Sequence, residues 1–233
     1  MTRRIRIASE SGSTSLDGLT EEEERLFTAV CFGKLHKVLS LLPHLRDLEV
    51  RDQHLHTPLL HAALNARDDH LNYLIKLLLR GGSDVNAQDG NGQTPLMLVV
   101  RRGEHQFRPG ISGEGSVDAL RTLMRCRRCE PGLVDRKGNT ALIHAAELGN
   151  AEALAILLFP PASARGMKHE AHVDVRNNEG LTALDVAVKH RNAACCRMLA
   201  EEGKADVESV KDAVAFRALM HEAARAGLCR KGT

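Results

Sequence analysis

A sixteen-residue motif, Asp135–Asn150, recurs along this sequence and constrains the fold more than any other feature. Its Asp and Gly stand three residues apart, which is typical of a tight turn because Asp can bond its own backbone and Gly adopts a left-handed conformation without steric cost. Thr140 follows at the position of a helix N-cap. Leu142 and two alanines lie on one helical face, and Gly149 is placed to end the helix. The motif therefore predicts a turn followed by a short, capped helix.

Three further copies of the motif lie at Gln53–Ala63, Asp89–Leu96 and Asn177–Leu184, and weaker copies begin at Leu26 and Met220. The copy at 53–63 has a leucine, at position 55, where the others have glycine. Successive motif positions lie 33, 37, 46, 42 and 36 residues apart. Regular recurrence at this spacing predicts an elongated stack of similar units, in which each unit contacts only its neighbours.

These copies resemble the ankyrin repeat family, whose period is about 33 residues and whose signature is T-P-L-H-x-A. Thr57-Pro58-Leu59 and Thr94-Pro95-Leu96 match the signature, and Gly81–Asn86 resembles the closing turn of the family. The resemblance implies an all-α ankyrin-repeat solenoid of helix-turn-helix units joined by hairpin-like turns. The signature histidine is replaced in all four internal units, so we expect its hydrogen bonding to be absent; the replacing residues are Leu60, Met97, Ile143 and Asp185.

We expect three segments. Residues 1–20 are rich in Ser and Gly and are predicted to be a disordered tail. Residues 21–228 form the repeat domain, with about five repeats and a C-terminal cap near 220–227. The alternative is the first half of a sixth repeat, but a cap is favoured because a solenoid needs its last hydrophobic face covered. Residues 229–233 are a short tail. Two insertions, 104–115 and 160–171, interrupt the spacing and are predicted to be surface loops.

Composition narrows the functional classes. No apolar run approaches the ~20 residues of a membrane span, and the net charge of +2 gives no global case for nucleic acid or membrane binding. The six cysteines have no framework spacing, and no apolar region of a secretory signal follows the N-terminal arginines. We therefore expect reduced thiols and an intracellular protein, cytoplasmic, nuclear or both. A mitochondrial presequence is the alternative, which Glu10 and Asp17 disfavour.

The sequence contains no P-loop, dinucleotide-binding glycine pattern or nucleophile elbow, so no enzyme activity and no cofactor are expected. Cys126 and Cys129 have the spacing of half a zinc site, but no second pair accompanies them. His54, His56 and His61 cluster in the sequence without a carboxylate or thiol at a suitable spacing. We therefore predict no metal site, and packing between helices is the first explanation for His61.

A partner protein is the expected ligand, bound by a monomer. In the family pattern, the residues between the turn Asp and the capping Thr, and those at the ends of the first helices, face the partner on a concave surface. Carried onto this sequence, the resemblance implies the partner-binding residues His54, His56, Asn65, Asn91, Gln93, Arg101, Arg102, Arg136, Lys137, Asn139, Glu147, Glu179, Leu181, Lys189 and His190.

The charges predict the kind of partner. Residues 101–137 contain nine Lys or Arg against five acids, which favours an acidic or phosphorylated segment of the partner. Two alternatives stay open. The protein could be a regulatory or targeting subunit that contacts an enzyme through the two insertions. Less favoured is nucleic-acid binding by the basic region, because stacking aromatic residues are nearly absent there.

Overall fold

The computed structural model describes residues 4–5, 20–45, 47–52, 55–102, 114–159 and 172–225. Most of the predicted tail 1–20, residues 104–113 of the predicted insertion 104–115, the predicted insertion 160–171, His54 and the final residues lie outside the described residues. The last two residues of the first insertion, Glu114 and Gly115, are not in a loop as predicted but begin a helix. The helices are α1 (Glu21–Cys31), α2 (Leu35–Leu41), α3 (Pro58–Asn65), α4 (Asp68–Arg80), α5 (Pro95–Arg101), α6 (Glu114–Arg125), α7 (Ala141–Leu148), α8 (Ala151–Leu158), α9 (Ala183–Lys189), α10 (Ala193–Arg197) and α11 (Ala213–Arg225). A 3₁₀ turn, Leu42–His44, follows α2, and a π-helical segment, Met198–Glu202, follows α10.

Threonine caps start the four internal motif helices. The hydroxyls of Thr57, Thr94, Thr140 and Thr182 each accept the backbone N–H three residues later, at distances of 3.4, 3.3, 3.2 and 3.2 Å. Proline follows the cap in α3 and α5, where its missing N–H costs nothing. Gly149 ends α7 in the left-handed conformation, with φ of 67°. The local signals of the motif therefore act as the sequence predicts.

The helices stack in two layers. The first helices of the units pack on one another in series (α1, α3, α5, α7 and α9), as do the second helices (α2, α4, α6, α8 and α10). The motif leucines are buried between them: Leu59, Leu96, Leu142 and Leu184. This arrangement confirms the predicted all-α solenoid. The helix α11 packs against α9 and α10 at the end of the stack.

The N-terminus of α11 is capped by Asp212, whose carboxylate accepts the Ala215 N–H at 2.9 Å.

A short β-ladder joins residues 4–5 of the N-terminal segment to residues 51–52, just before the turn of the second unit. Strand β1 (Arg4–Ile5) runs parallel to β2 (Arg51–Asp52), with Arg4 opposite Arg51.

Hairpin-like turns join the units and contact one another. The Arg136 N–H donates to the Asn91 carbonyl at 2.9 Å, and the Asn178 N–H donates to the Lys137 carbonyl at 2.9 Å. The glycine positions of the turns all have positive φ, including Leu55 at 64° where its counterpart Gly138 has 76°. The turns therefore form a continuous row along one edge of the solenoid.

Candidate functional site

Each turn is organised by its first acidic or amide side chain. Oδ1 atoms of Asp52, Asp89 and Asp135 accept the backbone N–H of the residue four positions later, at 2.8 Å in every case. Asn177 makes the equivalent bond at 2.9 Å. Short carboxylate side chains favour such turns because they can bond their own backbone. The three carboxylates are buried, so the second oxygen of each also needs a partner.

Histidines supply that partner in two of the units. His61 Nε2 lies 3.0 Å from Asp52 Oδ2, and His144 Nε2 lies 3.0 Å from Asp135 Oδ2. Histidine hydrogen bonding is therefore present in these two units, although not from the signature position, to which the expected absence applies. The signature position holds no histidine, but the next residue is a histidine whose ring bonds the turn carboxylate nine positions earlier in the sequence. Packing between helices is likewise an incomplete account of His61.

A second histidine joins the turn of the second unit. His56 Nδ1 lies 3.2 Å from Asp52 Oδ2, and its Nε2 lies 3.7 Å from Asp89 Oδ2 in the next turn. The thiol of Cys31 lies 3.5 Å from Nδ1 of His61. Sequence reasoning found no carboxylate or thiol near these histidines, and that reasoning is wrong, because the fold supplies both. Alignment of the units would have indicated the carboxylate, since the same nine-residue spacing joins Asp135 to His144.

Three side chains around this turn, those of Asp52, His56 and Asp89, have shifted pKa values. Burial alone would raise the pKa of the Asp52 carboxyl, but hydrogen bonds from the two histidines outweigh burial and hold that pKa well below its usual range. Burial would lower the pKa of His56, yet a hydrogen bond to Asp52 and the nearby Asp89 carboxylate raise it to about 9. Burial also opposes the lowered pKa of Asp89, which the nearby His56 imidazole and the hydrogen bond from the Gln93 backbone produce. Each of these shifts arises from opposite charges packed together in a partly desolvated place.

Several residues predicted to face a partner are engaged in the solenoid instead. Gln93 and Asn139 are buried, because the position four residues after the turn Asp points toward the neighbouring turn. Asn139 Oδ1, for example, accepts a hydrogen bond from Asn177 at 2.9 Å. His56 occupies the same position, and Leu181 is half-buried there.

Arg102 also differs from its expected role. Its guanidinium donates to the carbonyls of Ala63, at 2.9 Å, and Ala66, at the C-terminal end of α3. Arg101 is half-buried. Because these carbonyls have no partner within their own helix, Arg102 stabilises the contact between the second and third units.

The remaining predicted positions are more accessible. Arg136 and Lys137 are exposed on the fourth-unit turn, and within the described part of the chain their side chains form no hydrogen bond or ion pair. Lys189 pairs with Glu179 at 3.2 Å. Asn65, Asn91 and His190 are exposed, while Glu147 is half-buried with its carboxylate 3.6 Å from His144.

The basic residues of the 101–137 region do not form one surface. Arg121 and Arg125 are exposed on the second-layer helix α6, whereas Arg136 and Lys137 lie on a turn. Arg128 donates to the Ser83 carbonyl at 3.4 Å. The charge that is concentrated in the sequence is therefore divided between different faces of the solenoid.

The cysteines pack as apolar side chains. Burial raises the pKa of the Cys129 thiol to about 12, that of Cys195 to about 11 and that of Cys196 to about 12. Cys126 is half-buried, and Cys229 lies outside the described residues. Raised pKa values disfavour the thiolate, which is the form that binds metals and attacks disulfides.

No helix among the described residues is long and apolar enough to cross a membrane.

Known proteins resemble the chain through its repeats. A family model described as "Ankyrin repeats (3 copies)" matches residues 111–211, and one described as "Ankyrin repeat" matches residues 54–90. Together the two matches cover more than half of the chain.

The alignments with individual relatives span half or more of this chain, but less than half of each relative's own length. Neurogenic locus notch homolog protein 1 of Danio rerio is 30% identical over 70% of this chain and 6% of its own length. Ankyrin repeat domain-containing protein 63 of Homo sapiens is 30% identical over 72% of this chain and 40% of its own length. Putative palmitoyltransferase ZDHHC13 of Danio rerio is 31% identical over 52% of this chain and 16% of its own length. The names of these proteins differ, so the similarity identifies a shared structural unit rather than a shared activity.

Proposed function

Because this chain belongs to the ankyrin repeat family, whose repeats generally serve as protein–protein interaction modules, we propose that it is a non-catalytic adaptor or scaffold. It binds its partner on the concave surface that the row of turns and the first-layer helices form. It works as a monomer inside the cell, in the cytoplasm, the nucleus or both.

The observation that carries this proposal is the pair Arg136 and Lys137. Both side chains are exposed at the tip of the fourth-unit turn, and their backbones are held by the turns on either side. The nearby acidic Glu179 is already paired with Lys189. Two cations on a rigid support, without an intramolecular partner among the described residues, are suited to bind an anionic ligand.

The proposed ligand is an acidic or phosphorylated segment of a partner protein. A guanidinium presents a planar fork of N–H donors that matches carboxylate and phosphate oxygens, and such charge-assisted bonds are about twice as strong as neutral ones. The two neighbouring turns supply further polar side chains, Asn91 and Asn178, which are exposed beside this pair.

The test is a charge reversal with a matched control. The variant Arg136→Glu/Lys137→Glu should recover much less partner from native cell extract than the wild type, while the thermal melt changes little because exposed charges contribute little to folding. The control Arg121→Glu/Arg125→Glu makes the same change of charge on α6 and should recover partner normally. The proposal fails if the α6 variant loses the partner and the turn variant keeps it.

The regulatory-subunit alternative is favoured by the long spacing of the third and fourth units, which the two insertions produce. Replacing residues 104–113 or 160–171 by a short connector would abolish partner recovery under that alternative and leave it intact under the proposal. Nucleic-acid binding is disfavoured, because the basic residues divide between two faces. If the chain bound nucleic acid, the logarithm of its affinity would fall by ~0.9 for each phosphate contact when the salt concentration rises tenfold.

A further inference from the structure

We propose that Asp52, His56 and His61 bind one divalent transition-metal ion of the zinc type. Each side chain offers one donor atom, and these atoms all lie within 4.8 Å of one another. We assign them as Asp52 Oδ2, His56 Nδ1 and His61 Nε2, because both nitrogens lie within hydrogen-bond distance of that oxygen. Within the part of the chain that the structure describes, this is the only group of three such side chains with that geometry. The inference does not depend on the identity of any partner protein.

The spacing of the donor atoms suits such an ion. Asp52 Oδ2 lies 3.0 Å from His61 Nε2 and 3.2 Å from His56 Nδ1. A tetrahedral ion bound at about 2.0–2.1 Å from each donor would place the donors about 3.3 Å apart. The ion would therefore take the place of the protons that the carboxylate now shares with the two imidazoles, with only small movements of the side chains.

The chemistry of the donors selects the class of ion. Two imidazole nitrogens and one carboxylate oxygen are typical zinc ligands, and three protein ligands leave a fourth position for water. Calcium and magnesium prefer sites made of oxygen donors alone. Asp52 and His61 are buried and His56 is half-buried, so the ion would enter from the side of His56.

Each proposed ligand is also held by a further contact, as metal ligands usually are. The other oxygen of Asp52 accepts the His56 backbone N–H at 2.8 Å. The other ring nitrogen of His56, Nε2, lies 3.7 Å from Asp89 Oδ2. Nδ1 of His61 lies 3.0 Å from the Asn65 side-chain amide, which can turn its oxygen toward an Nδ1–H.

The other units serve as internal controls. At the three positions that hold Asp52, His56 and His61 in the second unit, the fourth unit has Asp135, Asn139 and His144. It thus keeps the carboxylate and one histidine but lacks the second imidazole. The third unit has Gln93 and Leu98 after its Asp, and the fifth has Leu181 and Val186 after Asn177. Among these four units, only the second unit has all three donors.

The experiment is a zinc titration of the metal-free 233-residue chain in competition with a chromophoric chelator. One equivalent should bind to the wild type. His56→Asn, which introduces the residue that the fourth unit already has, should weaken binding at least tenfold. Asp89→Asn should weaken it about tenfold, as is usual for residues that hold a ligand. His144→Asn, the matched control, should leave binding unchanged.

A cobalt titration distinguishes this site from the cysteines, because thiolate ligands add intense charge-transfer bands that an Asp-His-His site lacks. With chelator present, the metal-free His56→Asn variant should keep the helical circular dichroism signal of the wild type and a cooperative melt, at a lower temperature because Asp52 and Asp89 lose a cationic neighbour. A cooperative melt shows that the variant is folded. Three results would overturn the proposal: no bound equivalent in the wild type, binding that His56→Asn leaves intact, or cobalt bands of thiolate type that survive in His56→Asn.

Discussion

The Arg102 guanidinium donates a hydrogen bond to the Ala63 carbonyl at 2.9 Å, across the boundary between two repeats. Asn192 makes a comparable contact, donating to the carbonyls of Ala146 at 2.8 Å and Glu147 at 3.1 Å. In both cases a side chain of one repeat bonds the end of the first-layer helix in the preceding repeat. Polar contacts of this kind connect neighbouring repeats in addition to the apolar core.

Replacing Arg102 by Ala should therefore destabilise the fold by about 1–3 kcal/mol, because the α3 carbonyls would lose charge-assisted hydrogen bonds. The free energy of unfolding in urea measures this loss. Arg136→Ala, at an exposed position in the next repeat, should change it by less than about 0.5 kcal/mol. Equal values for the two variants would contradict the capping role of Arg102.

The motif leucine of the fourth repeat should be essential to the core. Leu142 is 4% exposed, and Leu142→Ala should lower the free energy of unfolding by about 2–5 kcal/mol through lost burial and a residual cavity. Leu39→Ala, at a position that is 54% exposed in α2, is the matched control and should cost far less. Urea unfolding followed by circular dichroism compares the two, and similar losses would show that the assigned core is wrong.

Gly138 should tolerate no side chain. Its φ is 76°, and an added Cβ would lie 2.8 Å from the Asn178 backbone nitrogen. Gly180 has a similar φ of 70°, but its nearest neighbour is the flexible end of Lys211 at 3.3 Å. Gly138→Ala and Gly180→Ala should both incur the left-handed strain of about 1–2 kcal/mol, and the melt should show a larger loss for Gly138→Ala. Equal losses would mean that the contact between turns is not rigid.

Alkylation should report the burial of the thiols. Iodoacetamide at pH 8 should modify Cys126 well before Cys129, Cys195 and Cys196, because burial shields these three and raises their pKa values. Peptide mass spectrometry over a time course measures the order, and denatured protein serves as the control. Rapid native modification of Cys195 would contradict the packing of α10.

The proposed metal site can also be transplanted. Asn139→His completes in the fourth repeat the three donors that the second repeat has, so the variant should bind two equivalents of zinc in the chelator competition. Asn139→Gln, which adds bulk without an imidazole, should bind one. A single equivalent in Asn139→His would show that the donor spacing of the turn is not sufficient to create a site.

The sequence predicts the repeated elements well because their signals are local. A capping threonine, a following proline and a glycine at the turn act over three or four residues, and the structure has each of them where the motif does. Even Leu55 keeps the left-handed conformation of the glycine that it replaces. The predicted solenoid follows from these signals and the spacing of the motifs.

The contacts between repeats are much harder to predict. Arg102 and Gln93 occupy positions that face a partner in the family pattern, yet here one bonds a neighbouring helix and the other is buried. Such contacts depend on how repeats are placed side by side, which no single motif encodes.

The histidine contacts to Asp52 lie within one repeat. The sequence does not predict them because the turn brings His56 and His61, which are four and nine positions after Asp52, onto the same carboxylate.

The most direct test of the proposed binding surface is site-specific photo-crosslinking to the purified partner. A photoreactive amino acid placed at position 137, on the exposed turn, should capture the partner on illumination. The same amino acid at position 125, exposed on α6, should capture little or none. Capture at position 125 without capture at position 137 would contradict binding on the concave surface.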